Sequence, residues 1–318
     1  MKRGRFLFNQ IIDFENIRLA WLKAKRGKTF SYAVIAFNKD VNGNLEKIRQ
    51  RLMSQNPDWG NYRQFYITDP KKRLISAASF EERIMHHAIM NVLEPVFERQ
   101  MIYHTYACRK EKGTHKAIYY AFHLCKKYQY VLKLDIRKYF DSINHQILKE
   151  KLNRIIKDSM CLFLFDGIID SYEISDCSKI GLPIGNLTSQ FFANLYLSSL
   201  DHYIIEKLHA KAYCRYMDDM LFFGNSKSDL NKMICFVRAF CIENLQLDLK
   251  DPVLVKTSRG VPFLGYSVGS CGVRLLRSKQ RQKKKKIKNL EYLCSINYIS
   301  EDIAAQRMNA VCNIIEVK

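Results

Sequence analysis

The chain has 318 residues, 47% hydrophobic and 12% aromatic. That excludes a disordered polymer and allows two or three lobes of roughly 100–150 residues. Lysine and arginine total 52 against 31 acids, a net charge of +21, so the expected partner is a polyanion, either nucleic acid or an anionic membrane surface.

The basic N-terminus lacks an apolar core of signal-peptide length and a small-residue cleavage site. The longest purely apolar run, Met160 to Phe165, is too short to span a bilayer. A cytoplasmic protein with no membrane partner is expected. Helical spacing runs from Ile11 to Ala24, and Asn42-Gly43-Asn44 reads as a loop. Tyr62–Ile67 and Arg73–Ile75 read as short strands around a turn at Asp69-Pro70. Ser79 opens a helix with Glu82 completing a capping box, and Pro95 is expected to bend it. Gly113-Thr114-His115 opens a second helix through Cys125, and Tyr130–Ile136 is the strongest strand. A helix is expected over Ser142–Ile156, with Ile143, Ile147, Leu148, Leu152 and Ile155 on one face, and Asn186–Leu208 is mostly helical. Ala212–Arg215 and Met220–Phe223 form a hairpin, Asp229–Leu245 a helix, and Val261–Val273 a β region. Arg274–Lys288 carries nine basic residues in fifteen and no acid, and apolar residues continue beyond its lysine run at Ile287, Leu290, Leu293 and Ile296. A basic helix lying along a phosphate backbone fits that pattern. The fold class is α+β, an antiparallel sheet backed by helices. The ten scattered cysteines include no Cys-x-x-Cys pair and read as reduced, mostly buried thiols.

Asp135 ends an apolar strand, and Asp218-Asp219 sit in the turn of the apolar hairpin Tyr213–Phe223. Adjacent carboxylates repel, and desolvation makes that worse. A bound dication relieves both costs. Two hard cations about 4 Å apart, held by carboxylates, are a general device for in-line phosphoryl transfer. An Asp-Asp pair alone is most often a solvated turn. Tyr-Met-Asp-Asp inside an apolar hairpin is far rarer, arising by chance in roughly one chain in two thousand.

With these residues in place, the chain resembles the reverse transcriptases. Tyr216-Met217-Asp218-Asp219 matches their Tyr-x-Asp-Asp box, and Asp135 through Tyr139-Phe140 matches the box of an aspartate followed by two aromatics. Lys71-Lys72-Arg73-Leu74-Ile75 and Tyr106–Ala117 resemble the finger blocks. Leu249-Lys250 resembles the palm lysine block and Phe263-Leu264-Gly265-Tyr266 the primer grip. The resemblance implies a right hand of fingers, palm and small helical thumb. The expected segments are 1–125 for an N-terminal extension and fingers, 126–260 for a palm with a finger insertion near 145–180, and 261–318 for primer grip and basic thumb. Carried over by position, Asp135, Asp218 and Asp219 are catalytic and hold two Mg²⁺ ions, for which Mn²⁺ can substitute, with the Ile136 carbonyl as a further ligand. Lys72 and Arg73 neutralise the triphosphate of the incoming dNTP. Lys250 is a candidate proton donor to pyrophosphate, and Phe140 blocks a ribose 2′-OH. Arg137, Ile184, Gly185 and Gln190 fall in the blocks around the nucleotide. Phe263, Leu264, Gly265, Lys283, Lys284, Lys285 and Lys286 are expected to contact nucleic acid.

The block Gly181-Leu182-Pro183-Ile184-Gly185-Asn186-Leu187-Thr188-Ser189-Gln190 departs from the common family pattern. Ile184 stands where a Gln is usual, and Gln190 where a Pro is usual. In this it resembles the reverse transcriptases of diversity-generating retroelements, which copy a template RNA with errors opposite adenine. An isoleucine cannot hydrogen-bond a nucleotide, so discrimination worth roughly 1 kcal/mol is lost or reassigned. That subfamily implies template RNA and a cDNA primer–template as partners, plus an accessory variability protein forming a basic ring. About 50 residues follow the primer grip, enough for a small thumb and not for an endonuclease or maturation domain. A retron or group II intron-type enzyme is the alternative. Outside the polymerases, the rivals are a metal nuclease and a non-catalytic RNA-binding relic.

Overall fold

The computed structural model describes residues 6–54, 57–68, 72–172, 174, 178–296 and 298–312. In chain order the elements begin with α1 (Leu7–Ile11), α2 (Phe14–Ala24), α3 (Tyr32–Phe37), α4 (Val41–Met53), β1 (Tyr62–Thr68), β2 (Lys72–Ala78) and α5 (Phe80–Glu98). Next come α6 (Thr114–Lys127), β3 (Tyr130–Leu134), α7 (His145–Ile155), α8 (Ser159–Asp170), α9 (Leu187–Tyr196) and α10 (Ser198–His202). The chain continues through β4 (Tyr213–Tyr216), β5 (Asp219–Gly224), α11 (Lys227–Leu245), β6 (Val253–Lys256), β7 (Val261–Phe263), β8 (Tyr266–Gly269) and β9 (Gly272–Leu275). It ends with α12 (Arg277–Ser295) and α13 (Glu301–Cys312). Two compact units interleave along it. One comprises Met1–Tyr103, Ile136–His209 and Val237–Leu249, the other His104–Asp135, Ala210–Phe236 and Lys250–Lys318. The three segments expected from sequence are consecutive, whereas these units are not.

The first unit is mainly helical. The stretch expected as one helix from Ile11 is two, because Asp13 caps α2 by accepting from the Asn16 amide at 3.1 Å. Ile17 and Ala20 of α2 are buried, as are Ile84 and Ala88 of α5. Asn16 ties the two helices together, donating to the Ala88 carbonyl at 3.0 Å. The expected loop at Asn42-Gly43-Asn44 is instead the first turn of α4. Asp40 caps that helix through the Gly43 amide at 3.0 Å, and a Cβ on Gly43 would collide with the capping carboxylate. Ser79 caps α5 through the Glu82 amide, but the Glu82 side chain accepts from Gly60 instead of closing the box. The helix continues past Pro95 to Glu98. Phe97, Phe165 and Phe192 meet at centroid distances of 5.5–6.4 Å. α8 was not expected, since its run from Met160 to Phe165 is apolar on every face and carries no period. The Asp69-Pro70 turn lies outside the described residues. The flanking strands pair from Tyr62 with Ala78 to Thr68 with Lys72.

The second unit contains the antiparallel sheet β4-β5-β3-β6 and the meander β7-β8-β9. Val131, Cys214, Leu221 and Phe223 from the sheet, Ala117, Ile118, Ala121 and Phe122 from α6, and Val261, Phe263 and Val268 from the meander form one core cluster. β6 was not expected. It is a four-residue edge strand, pairing Val131 with Val255 and Lys133 with Val253. Of the described cysteines, Cys125, Cys161, Cys214 and Cys241 are buried, whereas Cys235 and Cys271 are exposed. The expectation of buried thiols therefore holds only in part.

Candidate active site

Strand register gathers the carboxylates in the second unit. β3 pairs with β5 from Tyr130–Gly224 to Leu134–Met220, so Asp135 follows one residue beyond the last pair and Asp219 is the first residue of β5. β4 pairs Tyr216 with Asp219, leaving Met217 and Asp218 as a two-residue turn. Met217 has φ +54°, a left-handed conformation that disfavours a side chain. Arg215, fully buried, offsets that cost by donating to the Met217 carbonyl at 3.0 Å. Thr114 Oγ1 donates to the Tyr216 hydroxyl at 3.2 Å.

Burial pushes the Asp218 carboxyl above its ordinary range, and the Asp135 charge adds to that effect. The Asp219 carboxyl is also raised, by burial first, with the Lys133 ammonium pulling the other way. Lys133 Nζ lies 2.7 Å from Asp219 Oδ1, and Lys250 Nζ lies 2.5 Å from Asp135 Oδ1. The Lys250 amide also donates to the Asp135 carbonyl at 2.8 Å. The candidate pyrophosphate acid is thus held on the strand-end aspartate. Phe263, expected to touch nucleic acid, has its ring in the core at 1% exposure, because β7 packs inward on α6. Leu264 and Gly265 form the left-handed turn after it, at φ +51° and +88°. Lys284, Lys285 and Lys286 are exposed on α12, and Lys283 is half-buried.

The first unit brings together a different set. The Ser76 amide of β2 donates to the Ile184 carbonyl at 2.9 Å, and the Ala78 amide donates to Asn186 Oδ1 at 3.3 Å. The Gly181–Asn186 segment therefore lies along the strand that carries Lys72 and Arg73. Gly185 is fixed by that approach. Its φ is +123°, and a Cβ would stand 2.9 Å from Ile75 Cγ2 and 3.3 Å from the Ser76 carbonyl. The Leu182 amide donates to the Phe140 carbonyl at 2.8 Å, so Phe140 joins the same segment. Lys72 and Arg73 are exposed, with Lys72 Nζ 4.1 Å from the Tyr66 ring centroid. Arg137 is committed locally, pairing with Asp248 at 2.9 Å. Ile136 is buried and bridges to Leu249 through its backbone. Gln190 is half-buried on α9. Sequence reasoning missed Arg215, Lys133 and Asn186. For the first two, a signal existed: each is a cation inside an apolar strand.

The family model for reverse transcriptase (RNA-dependent DNA polymerase) matches residues 67–268, well over half of the chain. The chain belongs to the reverse transcriptase family. This reverse transcriptase is 23% identical over 285 residues to the Escherichia coli protein YkfC, covering 74% of this chain and 72% of that one. It is 23% identical to the putative COX1/OXI3 intron 2 protein of Saccharomyces cerevisiae, covering 73% of this chain but only 33% of the yeast protein. With the group II intron-encoded protein LtrA of Lactococcus lactis the identity is 25%, over 51% of this chain and 28% of LtrA. The chain thus spans a third or less of the intron-encoded relatives. Among solved structures, telomerase from Candida tropicalis in complex with a fragment of telomeric RNA superimposes with a TM-score of 0.51 at 12% identity, over 80% of this chain and 52% of that one. That likeness shows a right-hand polymerase fold.

The family implies a divalent cation, and the donor set fits one. Asp219 Oδ1 is buried and faces the Lys133 ammonium at 2.7 Å. Three hard carboxylates crowd one sheet end, where the Asp135 charge disfavours ionisation of both Asp218 and Asp219. Among the described residues, no three His, Cys, Asp or Glu side chains stand as a ready-made metal cluster. Two of the carboxylates are held by ammonium groups instead. No described helix is long and apolar enough to cross a membrane.

Proposed function

We propose that the chain is an RNA-directed DNA polymerase that uses two-metal catalysis, with Asp135, Asp218 and Asp219 as the catalytic carboxylates. The observation that carries this reading is their crowding at one end of the sheet, where burial and the Asp135 charge both oppose ionisation of Asp218. When bound, two divalent cations, Mg²⁺ or in its place Mn²⁺, would be held by these carboxylates and would supply charge neutralisation to an attacking hydroxyl and a leaving pyrophosphate. The remaining roles belong to the chain. Arg73 and Lys72, exposed on β2, neutralise the triphosphate of a dNTP. Phe140 excludes a ribose 2′-OH. Lys250 donates a proton to pyrophosphate after leaving Asp135. Lys283 to Lys286 hold the primer–template by its phosphates. Replacing these four lysines with Gln should flatten the salt dependence of binding by about 0.7–0.9 for each lost phosphate contact. A parallel slope at lower affinity would assign them elsewhere.

The test is metal-dependent extension of oligo(dT) on poly(rA). Shortening of either strand would make the protein a nuclease, and no change in either would make it an RNA-binding relic. The finer reading is a mutagenic polymerase of a diversity-generating retroelement, working with template RNA and a basic ring-forming accessory protein. Ile184 and Gln190 support it. Steady-state insertion of each dNTP opposite each template base tests it, because faithful copying of adenine would leave the retron or group II intron-type reading.

A further inference from the structure

Lys133 is out of character with its strand. β3 reads Tyr-Val-Leu-Lys-Leu, and Val131, Leu132 and Leu134 are all fully buried. Lys133 points to the same face as Val131, opposite Leu221 on one side and Val253 on the other. An apolar residue would satisfy both neighbours. An ammonium in that setting is disfavoured unless paired. The pairing is diagonal across the sheet, to Asp219, two positions along β5 from Leu221. Nζ reaches Asp219 Oδ1 at 2.7 Å, with both side chains less than one-fifth exposed, and donates to the Pro262 carbonyl of β7 at 2.9 Å.

We infer that Lys133 is a positioning residue: in the metal-free enzyme its ammonium stands in for a cation on Asp219 and ties that carboxylate to β7. This rests on the two-metal reading above. The ammonium is shared between two acceptors, Asp219 Oδ1 at 2.7 Å and the Pro262 carbonyl at 2.9 Å. A dication arriving at Asp219 takes over the neutralisation of that carboxylate, and the hydrogen bond to the Pro262 carbonyl keeps Lys133 in place. The Lys250 ammonium likewise stands on Asp135 Oδ1. The sheet end is thereby kept from charge repulsion before metal and substrate arrive.

Lys133→Met keeps the stem and removes the charge, and Lys133→Arg keeps the charge. Melting of the full chain is measured in EDTA and in MnCl₂, and Mn²⁺ affinity by electron paramagnetic resonance without nucleic acid or nucleotide. Lys133→Met should melt at least about 3 °C lower in EDTA, and Mn²⁺ should recover most of that loss. It should bind Mn²⁺ roughly threefold tighter, since no ammonium competes. Lys133→Arg should restore the melting point in EDTA. Unchanged melting and Mn²⁺ affinity would overturn the inference. So would a loss that Mn²⁺ does not recover at unchanged affinity, which would leave Lys133 as a strap to Pro262 only. If Lys133→Met does not fold, the double variant Lys133→Met/Asp219→Asn decides. Folding restored supports an uncompensated charge, and failure to fold overturns it. Asp218→Asn is the control for the underlying reading. If it binds Mn²⁺ as tightly as the parent, the two-metal reading fails and the stand-in role falls with it. If it binds weakly, the Lys133 outcomes bear on Lys133 alone.

Discussion

The two units treat charge in opposite ways. In the second, the functional candidates are half-buried acids, two of which face lysines, Asp219 with Lys133 of β3 and Asp135 with Lys250. In the first, the candidates are cations, Lys72 and Arg73, exposed on a two-stranded hairpin. A buried acid cluster must be compensated by the protein itself before anything binds, because desolvation raises the cost of each charge. An exposed cation needs no internal partner, since water already solvates it. The first unit therefore presents its candidate charges to solvent, and the second pairs two of its three acids with lysines. Substitutions in the second unit should cost chemistry, and substitutions in the first should change selectivity.

The largest effect is expected at the acids. Asp218→Asn keeps size and removes charge, so primer extension should fall by about a thousandfold or more while RNA binding persists. Single-turnover extension and a filter-binding titration of the same preparation separate the two. Near-parental extension would remove Asp218 from catalysis and with it the contrast between the units.

Gly185 tests whether the first unit depends on the approach of its segment to β2. Gly185→Ala must place a Cβ 2.9 Å from Ile75 Cγ2 at φ +123°. The strain should cost about 1–3 kcal/mol, read as a lower melting temperature. A melting point equal to the parent would mean the segment shifts freely along β2.

Phe140→Ala sharpens the comparison further. Shortening the ring should open room for a 2′-OH and raise rNTP over dNTP incorporation by roughly tenfold, with dNTP turnover largely kept. An unchanged ratio in an enzyme that still extends would return Phe140 to simple packing. Its ring centroid lies 5.8 Å from that of buried Tyr139, whose hydroxyl donates to the Ala193 carbonyl.

The placement of the three carboxylates at one sheet end was legible in the sequence, because acids inside an apolar strand and hairpin are costly unless a cation binds them. Their compensation was not, although Lys133 lies two residues before Asp135. A lysine in a strand reads as solvent-facing until the register brings Asp219 diagonally opposite. The elements with clear periodicity, α5, α6, α7 and β3, came out within a few residues. α8 did not, since a run apolar on all faces has no period to read. At α4 a glycine misled, because its role is to admit the Asp40 cap and not to break the chain. Phe263 was assigned to nucleic acid by position in its block, but burial of the ring depends on α6, distant in sequence.

The smallest expected effect lies at Ile184, and it is the most informative about subtype. Its carbonyl is fixed by the Ser76 amide at 2.9 Å, so the side chain can change without freeing the backbone. Isoleucine has no donor or acceptor to orient a sugar or base. Correct and incorrect nucleotides then differ less in transition-state binding, and selectivity is that difference. The shortfall should be greatest opposite template adenine, which pairs with fewer hydrogen bonds than guanine. Ile184→Gln restores one hydrogen-bonding group, worth roughly 1 kcal/mol or about fivefold in discrimination. The ratio of correct to incorrect insertion opposite adenine should rise by that order, with slower overall synthesis. If the parent errs at adenine and the variant errs equally, the retroelement reading stands and the determinant lies elsewhere in the segment. If the parent copies adenine as faithfully as guanine, Ile184 is a neutral packing change and the segment does not set fidelity.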